Sequence, residues 1–296
     1  MREVEHSTEP LAAEIAPPYE QSRLSAKLDE LIRPGLPAQA FLYGALAVGA
    51  ALSIRSKSKS PIVSVAQGLV MGAVANTVSS VVNHSQAAHK SVVLQPEATN
   101  TSIRFLQATL VGGNTDQASA MHDAHHDDTD GSSDPHSPKN MGRWGVFFGI
   151  NGIMKRFAVE NPGAIAEKQN DLRTNRRAFD NGAVIAAGIV GTHFLAGRKL
   201  GTSLPQRAAS AALHVSSIFM MNSTFTADAH RDGVPNNVPI DPLTNIWLGG
   251  QGDHGTHHEK PYKPRYSRWD PGYVVILGLE KLGLAKIPAR EQGLMG

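Results

Sequence analysis

Nine of the thirteen histidines in this chain fall into four clusters whose spacing suits metal binding. Two clusters are His-X-X-His-His triplets in distant parts of the chain, a third is a His-X4-His pair, and the fourth is a single histidine. Imidazole is the commonest side-chain ligand of transition metals, and near pH 7 it is neutral enough to offer a lone pair. The nine candidate ligands are His84, His89, His122, His125, His126, His230, His254, His257 and His258.

The spacing within each triplet predicts how its rings would be shared between ions. On a helix, the outer two histidines are four residues apart and lie on one face, so both can bind one ion. The extra, adjacent histidine points about 100 degrees away and can serve a neighbouring ion. Nine ligands are too many for one tetrahedral zinc and suit two ions of higher coordination number. Imidazole suits zinc, copper, iron or nickel. The absence of cysteine excludes thiolate ligands and an internal iron–sulfur cluster.

Four apolar stretches must position these clusters, and they predict an all-α integral membrane protein. A bilayer-spanning helix needs about 20 mostly apolar residues, which the first two stretches provide. The last two are shorter and contain His193 and His214, which we interpret as ordinary core or surface histidines. The alternative is four buried helices of a soluble α-helical protein. The four stretches are Leu36–Ile54, Pro61–Asn83, Asn181–Ala196 and Ala208–Phe225.

The order of the stretches predicts four transmembrane helices in two hairpins. Polar blocks at 84–180 and 226–296 hold the histidine clusters, so two hairpins place all nine histidines on one side of the membrane. Lysine and arginine in the middle block weakly favour the cytosolic side. Residues 1–34 form a polar N-terminal segment with no evident signal peptide, and residues 35–296 form one domain. A net charge of only +2 indicates no general nucleic-acid-binding surface.

Longer motifs around the triplets resemble those of membrane fatty acid desaturases of the stearoyl-CoA desaturase type. The first triplet continues as "HDAHHDDTDGSSDPHSP", which is similar to the family's "HRxHHxxxDxxxDPHxP". The second lies in "GQGDHGTHHEKP", which is similar to "GEGxHNxHHxFP". The tail "RWDPGYVVILGLEKLGLA" is similar to "DPTxWxIxxLExLGLA", a segment with no metal role in the family. The resemblance extends from about Leu36 to Ala285 and does not depend on histidines alone.

The resemblance implies a fold with four membrane helices and a cytosolic helical cap that holds two irons. By position, all nine histidines would be iron ligands. Other residues would support them or line the acyl path. These are Asp127, Asp128 and Asp253 as carboxylates that orient imidazoles, Asp134 and His136 as neighbouring supports, and Trp144 and Trp269 as residues of the acyl path or the membrane interface.

The chain differs from the family at several positions, and one of them lies near the isolated histidine. Family members carry an asparagine four residues before the isolated histidine, and that asparagine contacts an iron-bound water. Here Thr226 occupies the position four residues before His230, whereas Asn222 lies eight residues before it. Eight residues are about two helical turns, so Asn222 would keep the same face at a greater distance.

The activity implied by the resemblance is that of an oxygen-dependent fatty acyl desaturase, which introduces a cis double bond. The acyl chain would be carried by coenzyme A, a carrier protein or a lipid, and electrons would come from a separate ferredoxin or cytochrome b-type donor. A di-iron hydroxylase or oxidase on the same scaffold is one alternative, and a non-catalytic metal-binding membrane protein is another. Basic residues could attract an acidic donor, namely Lys155, Arg156, Arg173, Arg176 and Arg177.

Overall fold

The computed structural model describes residues 27, 31–86, 91–95, 115–166, 182–260, 263, 265 and 269–288. The described part is mostly helical, which confirms the all-α prediction, and it contains one short two-stranded sheet. The principal helices are α1 (Leu36–Ser56), α2 (Ser60–Gln86), α3 (Thr115–Asp127), α4 (Pro138–Met141), α5 (Arg143–Glu160), α6 (Gly182–Lys199), α7 (Leu204–Ser223), α8 (Pro242–Trp247), α9 (His254–Glu259) and α10 (Pro271–Lys281). The strands are β1 (Val93–Leu94) and β2 (Ala285–Lys286), paired antiparallel.

Helices α1 and α2 form the first predicted hairpin. Gly35 begins α1 in a left-handed conformation, and its amide donates to the buried carboxylate of Asp228 over 2.8 Å. Lys57, also left-handed, ends α1 before the turn into α2. Both helices are long and apolar enough to cross a membrane, and in the described residues they are the two that meet this criterion. The prediction of membrane-spanning length is therefore confirmed for two of the four stretches.

The third and fourth stretches form helices α6 and α7, which are not among the described helices that meet this criterion. Helix α7 begins at Leu204, earlier than the Ala208 that the apolar pattern predicts. The reason is a capping box in which the Ser203 side chain and the Gln206 side chain satisfy each other's backbone amides. The signal for this start, Ser-X-X-Gln, is present in the sequence.

Helices α2 and α7 pack closely and run in the same direction. A side chain at Gly68 would lie 2.6 Å from the Ser210 carbonyl oxygen, and one at Gly72 would overlap the Ser217 side chain. Farther along, Asn76 donates to the carbonyl oxygen of Ser217 over 3.3 Å. Small residues are thus needed where the two backbones approach. Because both helices advance together, their C-terminal ends reach the same end of the bundle.

The two histidines that we interpret from the sequence as ordinary core or surface residues are both core residues, and they are in contact. His193 on α6 and His214 on α7 are both buried, and their Nε2 and Nδ1 atoms lie 3.0 Å apart. The other nitrogen of His193 lies 2.8 Å from the Ser210 hydroxyl. The Gln67 amide on α2 donates to the His193 carbonyl oxygen over 3.3 Å. This polar contact joins three helices and fixes their register.

The remaining elements form a cap at the end of the bundle where α2 and α7 finish. Helices α3 and α5 share an apolar core that includes Met121 and Phe157. The two-stranded sheet packs with α10 against Val81, near the end of α2. The chain just before α1 is also attached there, because Arg231 donates to the Ile32 carbonyl oxygen over 3.0 Å. Most of the predicted N-terminal segment lies outside the described residues.

Candidate metal centre

Eight of the nine predicted ligands converge on one buried region. His84 comes from the end of α2, three histidines come from α3, His230 comes from the turn after α7, and three come from α9. The ninth, His89, lies outside the described residues. Seven of these eight histidines, all but His84, fall into two groups, and within each group the ring nitrogens lie within 4.8 Å of one another. Group I is His125, His230, His254 and His258, and group II is His122, His126 and His257.

Each helical triplet is divided between the two groups as the spacing predicts. In α3, His122 and His126 share group II while His125 belongs to group I. In α9 the division is reversed, because His254 and His258 share group I while the adjacent histidine joins group II. Residues four apart face the same way, and the extra histidine faces away from them. The two triplets therefore interlock, and each group draws on both helices.

The spacing of nitrogens within the groups fits coordination. In group I, the Nε2 of His254 lies 3.1 Å from the Nε2 of His230 and 3.0 Å from that of His258. In group II, the Nε2 of His126 lies 3.1 Å from that of His122 and 2.9 Å from that of His257. Two nitrogens bound at right angles, each about 2.1 Å from one ion, are about 3.0 Å apart. The described histidines can therefore hold metal ions.

A loop after α3 orients two rings of group I. The Nδ1 of His125 donates to Asp134 over 2.7 Å, and the Nδ1 of His230 donates to Asp130 over 2.8 Å. An ionised carboxylate only accepts, so both rings carry their hydrogen on Nδ1 and leave Nε2 as the ligand atom. The two supports are linked, because the Asp130 amide donates to the Asp134 carboxylate over 2.9 Å. Asp130 adopts a left-handed conformation (φ 56°) that is unusual outside glycine.

The sequence analysis did not predict the role of Asp130. The carboxylates that it did predict to orient imidazoles have other partners, apart from Asp134. Asp128 accepts from the amide and hydroxyl of Ser133, and Asp253 accepts from the Asn245 amide over 2.7 Å. Asp127 is exposed at the end of α3. Asp128 and Asp253 therefore stabilise turns beside the histidines. Asp130 lies four residues after the triplet and matches the first aspartate of the motif "HRxHHxxxDxxxDPHxP", so the motif that identified Asp134 is also the signal that could have identified Asp130.

His136 lies against group I without joining it. Its ring is buried, its centroid is 4.3 Å from that of His125, and its Nδ1 lies 3.9 Å from Asp134. Among the described residues, neither of its ring nitrogens has a hydrogen-bond partner. His125, Asp134 and His136 form a third set of possible ligand atoms within 4.8 Å. The structure therefore has His136 beside the histidines of group I, where the sequence predicts it.

The chain between α7 and His230 forms a π-helical turn, Thr224–Asp228. Such turns accommodate extra residues in a helix and are frequent at functional sites. Asn222 precedes the turn, and its carbonyl oxygen accepts from the Thr226 hydroxyl over 2.6 Å. The Phe225 ring lies 6.3 Å from His122 and 5.6 Å from His254, so one apolar side chain contacts both groups.

Burial favours the neutral form of several of these imidazoles. Desolvation, followed by the charges of neighbouring imidazoles, lowers the pKa of His122, His254 and His257 well below the usual value. The same causes lower the pKa of His258 to about 2. Burial alone would raise the pKa of Asp130, but the hydrogen bond and charge of His230 lower it. Neutral imidazoles beside ionised carboxylates are the protonation state that metal binding requires.

Trp144 and Trp269 lie outside the two groups. Trp144 is partly buried, and Arg143 stacks on its ring at 5.4 Å from the centroid. Trp269 is exposed just before α10. No family model matches the chain, and no curated protein matches it.

Proposed function

We propose that this protein is an oxygen-dependent fatty acyl desaturase of the membrane type, with one iron in group I and one in group II. The observation that carries the proposal is the pair of adjacent, all-imidazole groups, one of them oriented by two carboxylates. Two irons bound there would supply the oxygen-dependent removal of hydrogen from an unactivated methylene, which no side-chain acid or base can perform. The motif resemblance supports iron over the other metals that imidazole binds.

The residues of the chain would orient the irons and keep the reacting region dry. Asp130 and Asp134 fix the tautomers of two ligands of group I. Phe225 presents an apolar ring beside both groups and also packs against the helical core around Met221 and Trp247. An acyl chain approaching from the bundle would meet this apolar side first. Exclusion of water there would favour reaction on the substrate.

A four-helix membrane domain is part of the proposal. Helices α1 and α2 are long and apolar enough to span a membrane. The outer surface of α6 and α7 supports the proposal that these two helices span it as well. Large apolar side chains on those helices are exposed, including Val190 (44%), Leu195 (70%) and Val215 (50%). Exposed apolar surface of this kind is typical of contact with lipid. Both α2 and α7 deliver histidines at the same end, which supports a metal centre on one side, proposed to be cytosolic.

Electrons would come from a separate donor protein. Lys155 and Arg156 are exposed near the end of α5, where they could attract an acidic ferredoxin or cytochrome b-type donor. The other three basic residues of the predicted patch lie outside the described residues. Reversing the charges of Lys155 and Arg156 should slow reduction by the donor at low salt, and an unchanged rate would exclude this surface.

The experiment that tests the function is product analysis after expression in a desaturase-deficient host. A new monounsaturated fatty acid, detected by mass spectrometry as loss of two hydrogens, is the expected result. A His257→Ala variant should give none, and a His6→Ala variant should match the wild type. A product that gains oxygen without losing two hydrogens would identify a hydroxylase instead. Bound metal without oxygen consumption on any acyl substrate would indicate a non-catalytic metal-binding protein.

A further inference from the structure

We propose that the exposed face of helix α10 lies on the surface of the lipid bilayer, at the level of the headgroups. The inference rests on the proposed function, because it adds a second kind of lipid contact to the proposed membrane domain. Helix α10 follows the second histidine triplet, and exposed Trp269 lies just before it. None of the residues of α10 belongs to either histidine group, so the metal centre does not account for its exposed face.

The exposed face of α10 is an apolar stripe that runs the length of the helix. Val274 is 68% exposed, and Leu282, eight residues later, is 73% exposed. Residues four apart lie on the same side of a helix, and exposed Gly278 lies between these two. Val275 and Lys281, both exposed, form the two edges of the stripe. An apolar stripe with a basic edge is typical of a helix that lies in a membrane interface.

The opposite face of α10 is buried against the end of α2. Ile276 is fully buried, in an apolar cluster that also includes Val81 of α2. At the beginning of α10, a side chain on Gly272 would lie 2.6 Å from the Ser80 hydroxyl, so the two helices approach closely there. The position of α10 along the bundle is therefore fixed by its contact with residues 80 and 81 of α2.

The surface of α2 indicates the depth of this contact in the proposed membrane. Val70 and Val74 are exposed on α2, whereas none of residues 75–85 is exposed. Apolar exposure on α2 thus ends at Val74, and the rise from Val74 to Val81 is about 10 Å. An interfacial helix buries its apolar face about 5–10 Å into the boundary between headgroups and acyl chains. Helix α10 therefore meets α2 at the depth where such a helix would lie.

The charge around α10 complements an anionic lipid surface. In the described residues after α9, the exposed charged side chains are all basic, namely Lys260, Arg265, Lys281 and Lys286. Basic side chains beside an apolar face attract anionic headgroups, and tryptophan is enriched at the membrane interface. A second copy of this chain would bring the same positive charge to the contact, which opposes association through this face. Lipid fits both the apolar stripe and its basic surroundings.

The absence of cysteine allows a direct test, because one introduced cysteine is then the single thiol of the chain. The full-length variants Val274→Cys and Leu282→Cys are spin-labelled in nanodiscs of phosphatidylcholine and phosphatidylglycerol. Paramagnetic resonance measures the collision rates of each label with oxygen, which concentrates in lipid, and with a nickel chelate, which remains in water. Two exposed valines serve as matched controls. Val48→Cys on α1 reports on the bilayer interior, and Val159→Cys at the end of α5 reports on the aqueous side.

We expect the ratio of oxygen to nickel collisions at Val274 and Leu282 to lie between the ratios at Val48 and Val159. A ratio equal to that at Val159 would overturn the lipid contact, and a ratio equal to that at Val48 would overturn the assigned depth. Low collision rates with both reagents would show that protein covers the face, which would also overturn the proposal.

The Val48 label separates failure of this inference from failure of the proposed function. A Val48 label that collides mainly with oxygen would leave the proposed membrane domain intact, whatever the labels on α10 show. A Val48 label that collides mainly with the nickel chelate would contradict the membrane domain itself.

Discussion

Replacing Asp134 with asparagine tests whether the loop after α3 controls the ligands of group I. In the structure, the Asp134 carboxylate accepts from the Nδ1 of His125 over 2.7 Å, and both side chains are buried. It also accepts from the amides of Asp130 and His136, over 2.9 Å and 3.0 Å. Asparagine retains one acceptor oxygen, but its NH2 group would meet either the N–H groups of His125 and Asp130, which both donate to Oδ2, or the His136 N–H, which donates to Oδ1. A donor would then face a donor in a buried site.

The expected magnitude follows from the hydrogen bond that is lost. A buried hydrogen bond to a charged group contributes about 1.5–3 kcal/mol. Removal of a carboxylate behind a metal-bound histidine typically lowers metal affinity about 10- to 100-fold, which is about 1.4–2.8 kcal/mol. If the His125 ring changes tautomer to avoid the clash, its Nε2 carries hydrogen and no longer offers a lone pair to the ion. Both the lost hydrogen bond and the change of tautomer would weaken the binding of the metal ion by group I.

The assay is anaerobic competition for Fe²⁺ between the detergent-solubilised protein and a coloured chelator. One of the two bound ions should become 10- to 100-fold easier to remove from Asp134→Asn. Asp128→Asn is the matched control, because this neighbouring carboxylate bonds Ser133 in the same loop. Wild-type affinity for both ions in a folded Asp134→Asn protein would refute the role we assign to the loop.

Three further predictions concern stability. Because the pKa of His258 is lowered to about 2, the unfolded chain binds more protons than the folded one below pH 6.5. The metal-free protein should therefore lose up to about 1.4 kcal/mol per pH unit from this ring as pH falls, and denaturant unfolding that is independent of pH between neutral and about pH 5 would contradict it. Gly72→Ala should destabilise the protein by about 1–3 kcal/mol in thermal unfolding, because its side chain would overlap Ser217. Gly44→Ala, which meets open space, should not destabilise it, and equal effects would contradict the helix packing. His193→Ala should reduce stability by about 1–3 kcal/mol, whereas loss of bound metal in that variant would be inconsistent with its position in the helical bundle.

The division of the histidines between two groups could be predicted from the sequence, because it depends only on helical periodicity. His122 and His126 are one turn apart on α3 and share group II, as the spacing predicts. The first hairpin could also be predicted, since α1 and α2 are long apolar segments between clear breaks. These features are local, and local spacing is sufficient to specify them.

The missed features depend on contacts between distant segments. Asp130 reaches His230 because its own left-handed backbone bends the loop across the centre, and no spacing rule encodes that bend. The contact between His193 and His214 depends on the register of α6 against α7. Asp270 likewise approaches His84 only because α10 packs on the end of α2. In each case, the partner is chosen by packing rather than by proximity in the chain.

The proposed pair of metal sites is tested by the metal content of the purified wild-type protein, together with a Mössbauer spectrum after iron loading. We expect two iron ions per chain in inequivalent, histidine-rich environments, and one fewer tightly bound ion in His125→Ala or His257→Ala. A wild-type protein that binds no transition metal, or that binds iron equally well without His125 and His257, would contradict it.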